Sequence, residues 1–361
     1  MIFLSKLRII GIALTKRCNL NCTHCGYNHK NIKEETEKSA KFFLDILEEA
    51  KHLGADMVNV TGGEVFLRSD CMDLINGAIA KGYMVNIESN GTIIAEEQIS
   101  QLATHKKLVN LAISLDGFSS EIHDSIRGRG SFDKTMECLR SMAFHGVNAR
   151  INTVMQNVNI EDIPKIARYA VEDLGMGFRL LPFILEYGKG VYACNTIGVQ
   201  YKKMEELLNN FFFDFIRNHK QDNITVELSP ALAPLDIYNH HVCPWGKAML
   251  GIGPEGKVSL CHVSNDDNRF LFGDLTKESI SKIWSSNDVL NKFRNLNYDE
   301  LLGICGNCLA RKVCRGGCRL HAISKYGDFL APDPQCQVIY NLGKFPDHAI
   351  DRLLEDSTYG I

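Results

Sequence analysis

Short apolar runs alternate with longer amphipathic stretches through the first half of the chain. Residues 8–14, 56–61, 83–89, 109–115, 148–155 and 177–183 read as strands. Between them, Phe42, Phe43, Ile46, Leu47 and Leu53 recur at helical spacing, as do Ile163, Ile166, Ala167 and Ala170. Strand–helix alternation predicts a parallel sheet with right-handed crossovers, hence an α/β fold. Six units fall short of the eight of a closed barrel. After them Gly188, Gly190 and Gly198 punctuate a connector, and 201–218 reads as a helix with Met204, Leu207, Leu208, Phe211, Phe212 and Phe215 turned inward.

Composition changes little in this picture. A chain of 361 residues has room for one large domain and a smaller one. Hydrophobic content of 45%, charged content of 23% and a net charge of −3 are ordinary for a globular protein and give no reason to expect nucleic acid or an anionic membrane as partner. No apolar stretch reaches spanning length, and Lys6 and Arg8 interrupt the opening one before a signal peptide could form. Thirteen cysteines without a secretion signal predict reduced thiols and metal in a cytoplasmic protein.

Ten of those cysteines fall into two groups. Cys18, Cys22 and Cys25 share one loop directly after the first strand, and Cys243, Cys261, Cys305, Cys308, Cys314, Cys318 and Cys336 lie downstream. Thiolates at such gaps bind zinc or iron–sulfur clusters. Structural zinc and electron-transfer clusters take four ligands. Three cysteines leave one iron of a four-iron cluster without a protein ligand, and an open coordination site is where a small molecule reacts. A zinc site completed by His24 or His29 is the bland alternative.

The C-x3-C-x2-C loop after Ile9-Ile10-Gly11-Ile12-Ala13-Leu14 resembles the radical S-adenosylmethionine (SAM) superfamily. The resemblance implies a partial (β/α)6 barrel, a [4Fe-4S] cluster that chelates SAM, and its cleavage to a 5′-deoxyadenosyl radical that abstracts hydrogen from substrate. It places His24 near the adenine, where relatives carry an aromatic residue. Parallel sheets bind ligands at the carboxyl ends of their strands. There, Gly62, Gly63 and Glu64 resemble the element that meets the methionine amino group, although Val65 replaces the usual proline. Ser89 and Asn90 after strand three, and Ser114 and Asp116 after strand four, are expected to bond ribose hydroxyls and the SAM carboxylate. Arg150 and Asn152 on strand five are further candidates, Arg150 as a carboxylate partner. His123-Asp124 and Arg127-Gly128 are read as structural or substrate-loop residues.

The downstream pattern C-x12-G-x4-C, C-x2-C-x5-C-x3-C and a last Cys336 resembles the seven-cysteine SPASM extension of radical SAM enzymes. By that resemblance Cys305, Cys308, Cys314 and Cys336 close an outer auxiliary [4Fe-4S] cluster. Cys243, Cys261 and Cys318 hold an inner one, whose fourth ligand is His240 or His241, the substrate, or another residue that reaches in. Paired zinc ribbons are the competing reading. Of the remaining thiols, Cys71 and Cys138 are expected as small buried hydrophobes. Cys194 is a candidate hydrogen-atom donor, set against a passive connector thiol.

The expected organisation is a radical SAM barrel over 1–185, a connector over 186–240, the SPASM module over 241–345 and a tail over 346–361. Sulfatase maturases of this branch carry an aspartate where His262 stands, which argues against formylglycine formation. Cys18 comes too soon after the start for the precursor-binding domain of many peptide maturases, so leader recognition is expected from a separate leader-binding protein or another surface of the chain. The function read from the resemblance is hydrogen abstraction from a ribosomally made peptide, leading to a crosslink, thioether, epimerised or oxidised residue, with a flavodoxin or ferredoxin as reductant. Chemistry on a haem precursor or an aminoglycoside-type sugar is the second reading, and a non-catalytic zinc or electron-transfer protein the third.

Overall fold

The computed structural model describes residues 6–27, 36–184, 186–196, 201–234, 236–237 and 243–351, without the side chains of residues 194–196, 221 and 266. Six strand–helix units build its first half: β1 (Ile9–Thr15), β2 (Met57–Gly62), β3 (Met84–Ser89), β4 (Val109–Ser114), β5 (Ala149–Val154) and β6 (Gly177–Leu181). All six pair in parallel and in sequence order. Every expected strand is present to within two residues at each end.

The sheet is wider than the sequence predicts. β7 (Ile224–Val226) adds in parallel to β6, and β8 (Met249–Ile252) adds in parallel to β1 on the other side. β9 (Lys257–Ser259) and β10 (Leu271–Asp274) continue antiparallel beyond β8. The order is therefore β10-β9-β8-β1-β2-β3-β4-β5-β6-β7. The cysteine-rich region thus extends the barrel's own sheet, so the expected boundary near 241 marks no break in packing.

Alternation sets which side chains face the barrel interior. In β5, Ala149, Ile151 and Thr153 are buried against the helices while Arg150, Asn152 and Val154 are only half-buried. The helices cover the outer face. Helix α1 (Ala40–His52) starts where Ser39 Oγ accepts from Phe42 N, ends on Lys51 and His52, and buries Phe43, Ile46, Leu47 and Ala50. Phe43, Leu47 and Ala50 are fully buried in one continuous core with Ile10, Ile12 and Leu14 of β1. Cys71 and Cys138 are buried within helices Cys71–Ala80 and Ser131–His145, as expected of small apolar side chains. The expected 201–218 helix is present, interrupted at 208–212 by a π-helical turn. No helix among the described residues is long and apolar enough to cross a membrane.

Candidate active site

The cysteine loop leaves β1 at Thr15 and is clamped against the end of β2. Gly63 N donates to Thr15 O at 2.7 Å, and Glu64 N to Arg17 O at 2.8 Å. Side chains at Gly62 or Gly63 would put a Cβ 2.2 Å from Thr15 O or 2.0 Å from Arg17 O. The two glycines therefore serve the packing of loop on strand as well as opening onto the cavity. Cys18, Cys22 and Cys25 line that cavity, of about 200 Å³, together with Gly62, Gly63, His24, Ser89, Asn90 and Ser114. Backbone N–H groups of Leu20 and Tyr27 point at the sulfurs of Cys18 and Cys25, each at 3.4 Å. Burial pushes the Cys18 thiol up to about 11 and raises Cys22. Loading iron must displace these protons, which couples metal binding to pH. Three thiols around one cavity, with strand-end polar groups opposite, fit a cluster that keeps one iron open to a small ligand.

Four expected ligand contacts do not open onto this cavity. Glu64 is fully buried and turned inward: Oε1 accepts from Phe66 N at 3.2 Å and Ser89 Oγ at 2.8 Å, and Oε2 from Asn90 N at 2.8 Å. Its carboxylate orders the β2 and β3 ends. Asp116 is likewise fully buried; it accepts from Val154 N at 2.8 Å and faces Arg127. Arg150 and Asn152 bond one another at 3.2 Å, and the Arg150 charge faces Glu88 rather than the cysteines.

The sequence reading did not place a cation beside the cysteines. Arg127, read as a structural or substrate-loop residue, lines the cavity at the end of helix Ser120–Arg127. Its Nη1 comes within 4.0 Å of Cys22 Sγ. His123 and Asp124 are structural: His123 Nδ1 accepts from Asp116 N, and Asp124 caps the turn at Gly130 and Phe132. His24 meets Gln156 Nε2 through Nδ1 at 3.1 Å, and burial lowers it to about 4, so its imidazole is neutral.

Sequence also misses Arg179, and Glu88 reads there only as one of the polar residues ending strand three. Polar residues facing the barrel interior look like ordinary strand alternation, and nothing local shows that they converge. Glu88 lines the cavity, accepts from Thr61 Oγ1 at 3.2 Å and lies 4.0 Å from Arg179 Nη1. Burial raises its carboxyl, but His262, Arg179 and Arg150 outweigh that and bring it below its ordinary value. Arg179 also pairs with Glu227, which lines the next cavity toward the second cysteine group. One guanidinium thus spans the two regions.

That second group gathers around two neighbouring cavities. Cys305, Cys308, Cys314 and Cys336 line one cavity. Cys243, Cys314 and Cys318 line another, of about 100 Å³, with Glu227, Ser229, Asp333 and Gln335, so Cys314 borders both cavities, and the Cys261 charge acts on Cys243 and Cys318. Cys314 and Cys318 are four apart, and the chain turns sharply between them. Arg315, Gly316 and Gly317 are all left-handed, at φ 59°, 76° and 67°, and reverse the chain. Burial pushes Cys305 up to about 12 and Cys243 to about 11. Thiols gathered around two adjoining cavities suit metal clusters better than packing alone. His240 and His241 lie outside the described residues. Cys194 lies on helix Gly190–Thr196, and its side chain too is outside them.

Comparison with known proteins agrees with this geometry. A model of the radical SAM superfamily matches residues 12–170, and one of the SPASM iron–sulfur cluster-binding domain matches 243–309. The AdoMet-dependent heme synthase of Methanosarcina barkeri is 27% identical over 93% of this chain and 97% of its own. Mycofactocin maturase MftC of Mycolicibacterium smegmatis is 28% identical over 90% and 81%, and the PqqA peptide cyclase of Rhizobium meliloti 25% over 90% and 85%. Among solved structures, Streptococcus suis SuiB bound to precursor peptide SuiA superposes with a TM-score of 0.73 over 91% of this chain and 75% of its own, at 19% identity, which shows the shared fold. The chain belongs to the radical SAM superfamily, in its SPASM-bearing branch, and is an enzyme of SAM and [4Fe-4S] clusters.

Proposed function

We propose that this enzyme abstracts a hydrogen atom from a ribosomally made peptide and that its auxiliary clusters take up the electron left on the substrate. The observation that carries the reading is the single cavity shared by Cys18, Cys22, Cys25 and the ends of β2 to β4. When bound, the cluster there supplies the electron that splits SAM and so the carbon radical that attacks substrate. The chain's residues hold the reactants. Cys18, Cys22 and Cys25 would ligate the cluster. Arg127 would pair the SAM carboxylate, Asn90 and Ser114 would bond its polar groups, and the neutral His24 would lie against the adenine. Glu88 and Arg179 would line the approach of the substrate. Cys305, Cys308, Cys314 and Cys336 would hold the outer cluster, and Cys243, Cys261 and Cys318 the inner one.

The relatives named as a maturase and a peptide cyclase support a peptide substrate. A flavodoxin- or ferredoxin-type reductant, a leader-binding partner and a cytoplasmic location belong to the same reading. The test is anaerobic incubation of the loaded enzyme, SAM and reductant with the product of a short reading frame beside its gene. Loss of hydrogen atoms from that peptide, seen as a mass shift and placed by fragmentation, is expected. An unaltered peptide, with 5′-deoxyadenosine formed all the same, would contradict the peptide assignment. A second reading rests on one finding, the heme synthase match over nearly the whole of both chains. It predicts turnover of a haem-precursor porphyrin in the same assay.

A further inference from the structure

Asp333 stands between the two auxiliary cysteine groups and touches both. Its Oδ2 accepts from Cys318 N at 3.3 Å, and its Oδ1 from Gln335 N at 3.0 Å and Cys336 N at 3.4 Å. Its own N–H donates to Cys305 Sγ at 3.2 Å. Three cluster cysteines, one from the inner group and two from the outer, thus contact one residue. The fit is tight on the inner side, where a Cβ on Gly317 would lie 2.1 Å from Asp333 Oδ2.

Part of this arrangement is ordinary capping. Asp333 precedes the helix Pro334–Asn341, with proline in the first turn and Cys336 among its first residues. Capping, however, needs only a side-chain oxygen; asparagine and serine serve as well as aspartate. Asp333 is only 6% exposed; its side chain accepts from backbone N–H groups, and the nearby imidazole of His321 feels its charge. Burying a carboxylate is expensive, and a cap does not require it. Its carboxylate is held on Cys318 N and Cys336 N, and its N–H reaches Cys305 Sγ, so its negative charge sits beside both groups. An electron added to a cluster held by those cysteines is repelled by that charge. Cluster potentials follow net charge, hydrogen bonds to sulfur and exposure.

We propose that Asp333 is a positioning residue that sets the reduction potentials of both auxiliary clusters together, its carboxylate lowering the two in common. This rests on the two-cluster reading of the module. The carboxylate makes both clusters weaker electron acceptors by one shared charge, so neither is tuned without the other.

The test uses the full chain with Cys18, Cys22 and Cys25 changed to alanine, so that only auxiliary clusters contribute. Asp333→Asn and Asp333→Ser keep a capping oxygen and lose the charge. Iron per chain and the midpoint potentials from an EPR-monitored redox titration are the readouts. The parent should hold about eight iron atoms. Failure of the parent to do so overturns the two-cluster reading and this proposal with it, before any variant is made. With iron retained, both midpoint potentials should move to more positive values in both variants. Unchanged potentials, or movement of one cluster alone, overturn the proposal while leaving the two-cluster reading intact. Loss of iron in both variants also overturns it, since the charge would then be needed to build the sites rather than to tune them.

Discussion

Arg127 Nε lies 2.6 Å from Asp116 Oδ2, and the pair delivers the guanidinium to the sulfur of Cys22. Both side chains are buried, so the two charges depend on one another. Arg127→Met leaves Asp116 unpaired and should cost about 3–5 kcal/mol in urea unfolding. Arg127→Lys keeps the charge but loses the fork. Its SAM affinity, measured by calorimetry on the unreduced protein, should fall at least about tenfold, equivalent to about 1.4 kcal/mol. Undiminished binding would remove Arg127 from the SAM site.

Glu64 uses both carboxylate oxygens as acceptors, so an amide cannot replace it. Glu64→Gln presents an NH2 group to one of those donors and should destabilise the protein by about 1–3 kcal/mol. Because Asn90 Nδ2 points at Cys18 Sγ from 3.9 Å, the cysteine loop should loosen as well, seen as slower iron uptake. Native stability in this variant would show that Glu64 is free to meet a ligand after all.

Stability should fall in mild acid. Burial lowers His123 to about 4, so the folded chain holds it neutral, while an unfolded histidine takes a proton near its ordinary value of 6.5. Between those values the unfolded state binds the extra proton. Stability from this group is therefore complete above about pH 6.5 and is lost as pH drops toward 4, by about 1.4 kcal/mol per pH unit. Asn at this position keeps an acceptor for Asp116 N without titrating. The melting temperature of His123→Asn should depend less steeply on pH between 7 and 5 than that of the parent; equal slopes would refute the assignment.

Reconstituted protein should carry about 12 iron atoms. Cys314→Ala and Cys318→Ala should each lose about four, and their EPR spectra should lack different clusters. The same missing signal in both variants would disprove the interleaved ligand sets.

What the sequence made legible follows from how local each signal is. The strands of 9–15 through 177–181 declare themselves by apolar runs, and the cysteine groups by spacing. β7 is three residues long and β8 contains Gly251, so neither has a run that stands out from its surroundings. Arg127 ends a helix and Arg150 begins β5, and only the fold shows that helix Ser120–Arg127 swings the first toward Cys22 while β5 holds the second beside Glu88. Asp333 reads in sequence as a helix cap. That it touches Cys318 as well as Cys305 depends on the left-handed turn at 315–317.

The central claim is that Cys18, Cys22 and Cys25 form a radical-generating site. Its most direct test is release of 5′-deoxyadenosine after dithionite is added to iron-loaded protein with SAM. The parent should release it, and Cys18→Ala, with its auxiliary iron intact, should release none. A fully loaded parent that leaves SAM uncleaved, or a Cys18→Ala protein that still cleaves it, would contradict the account.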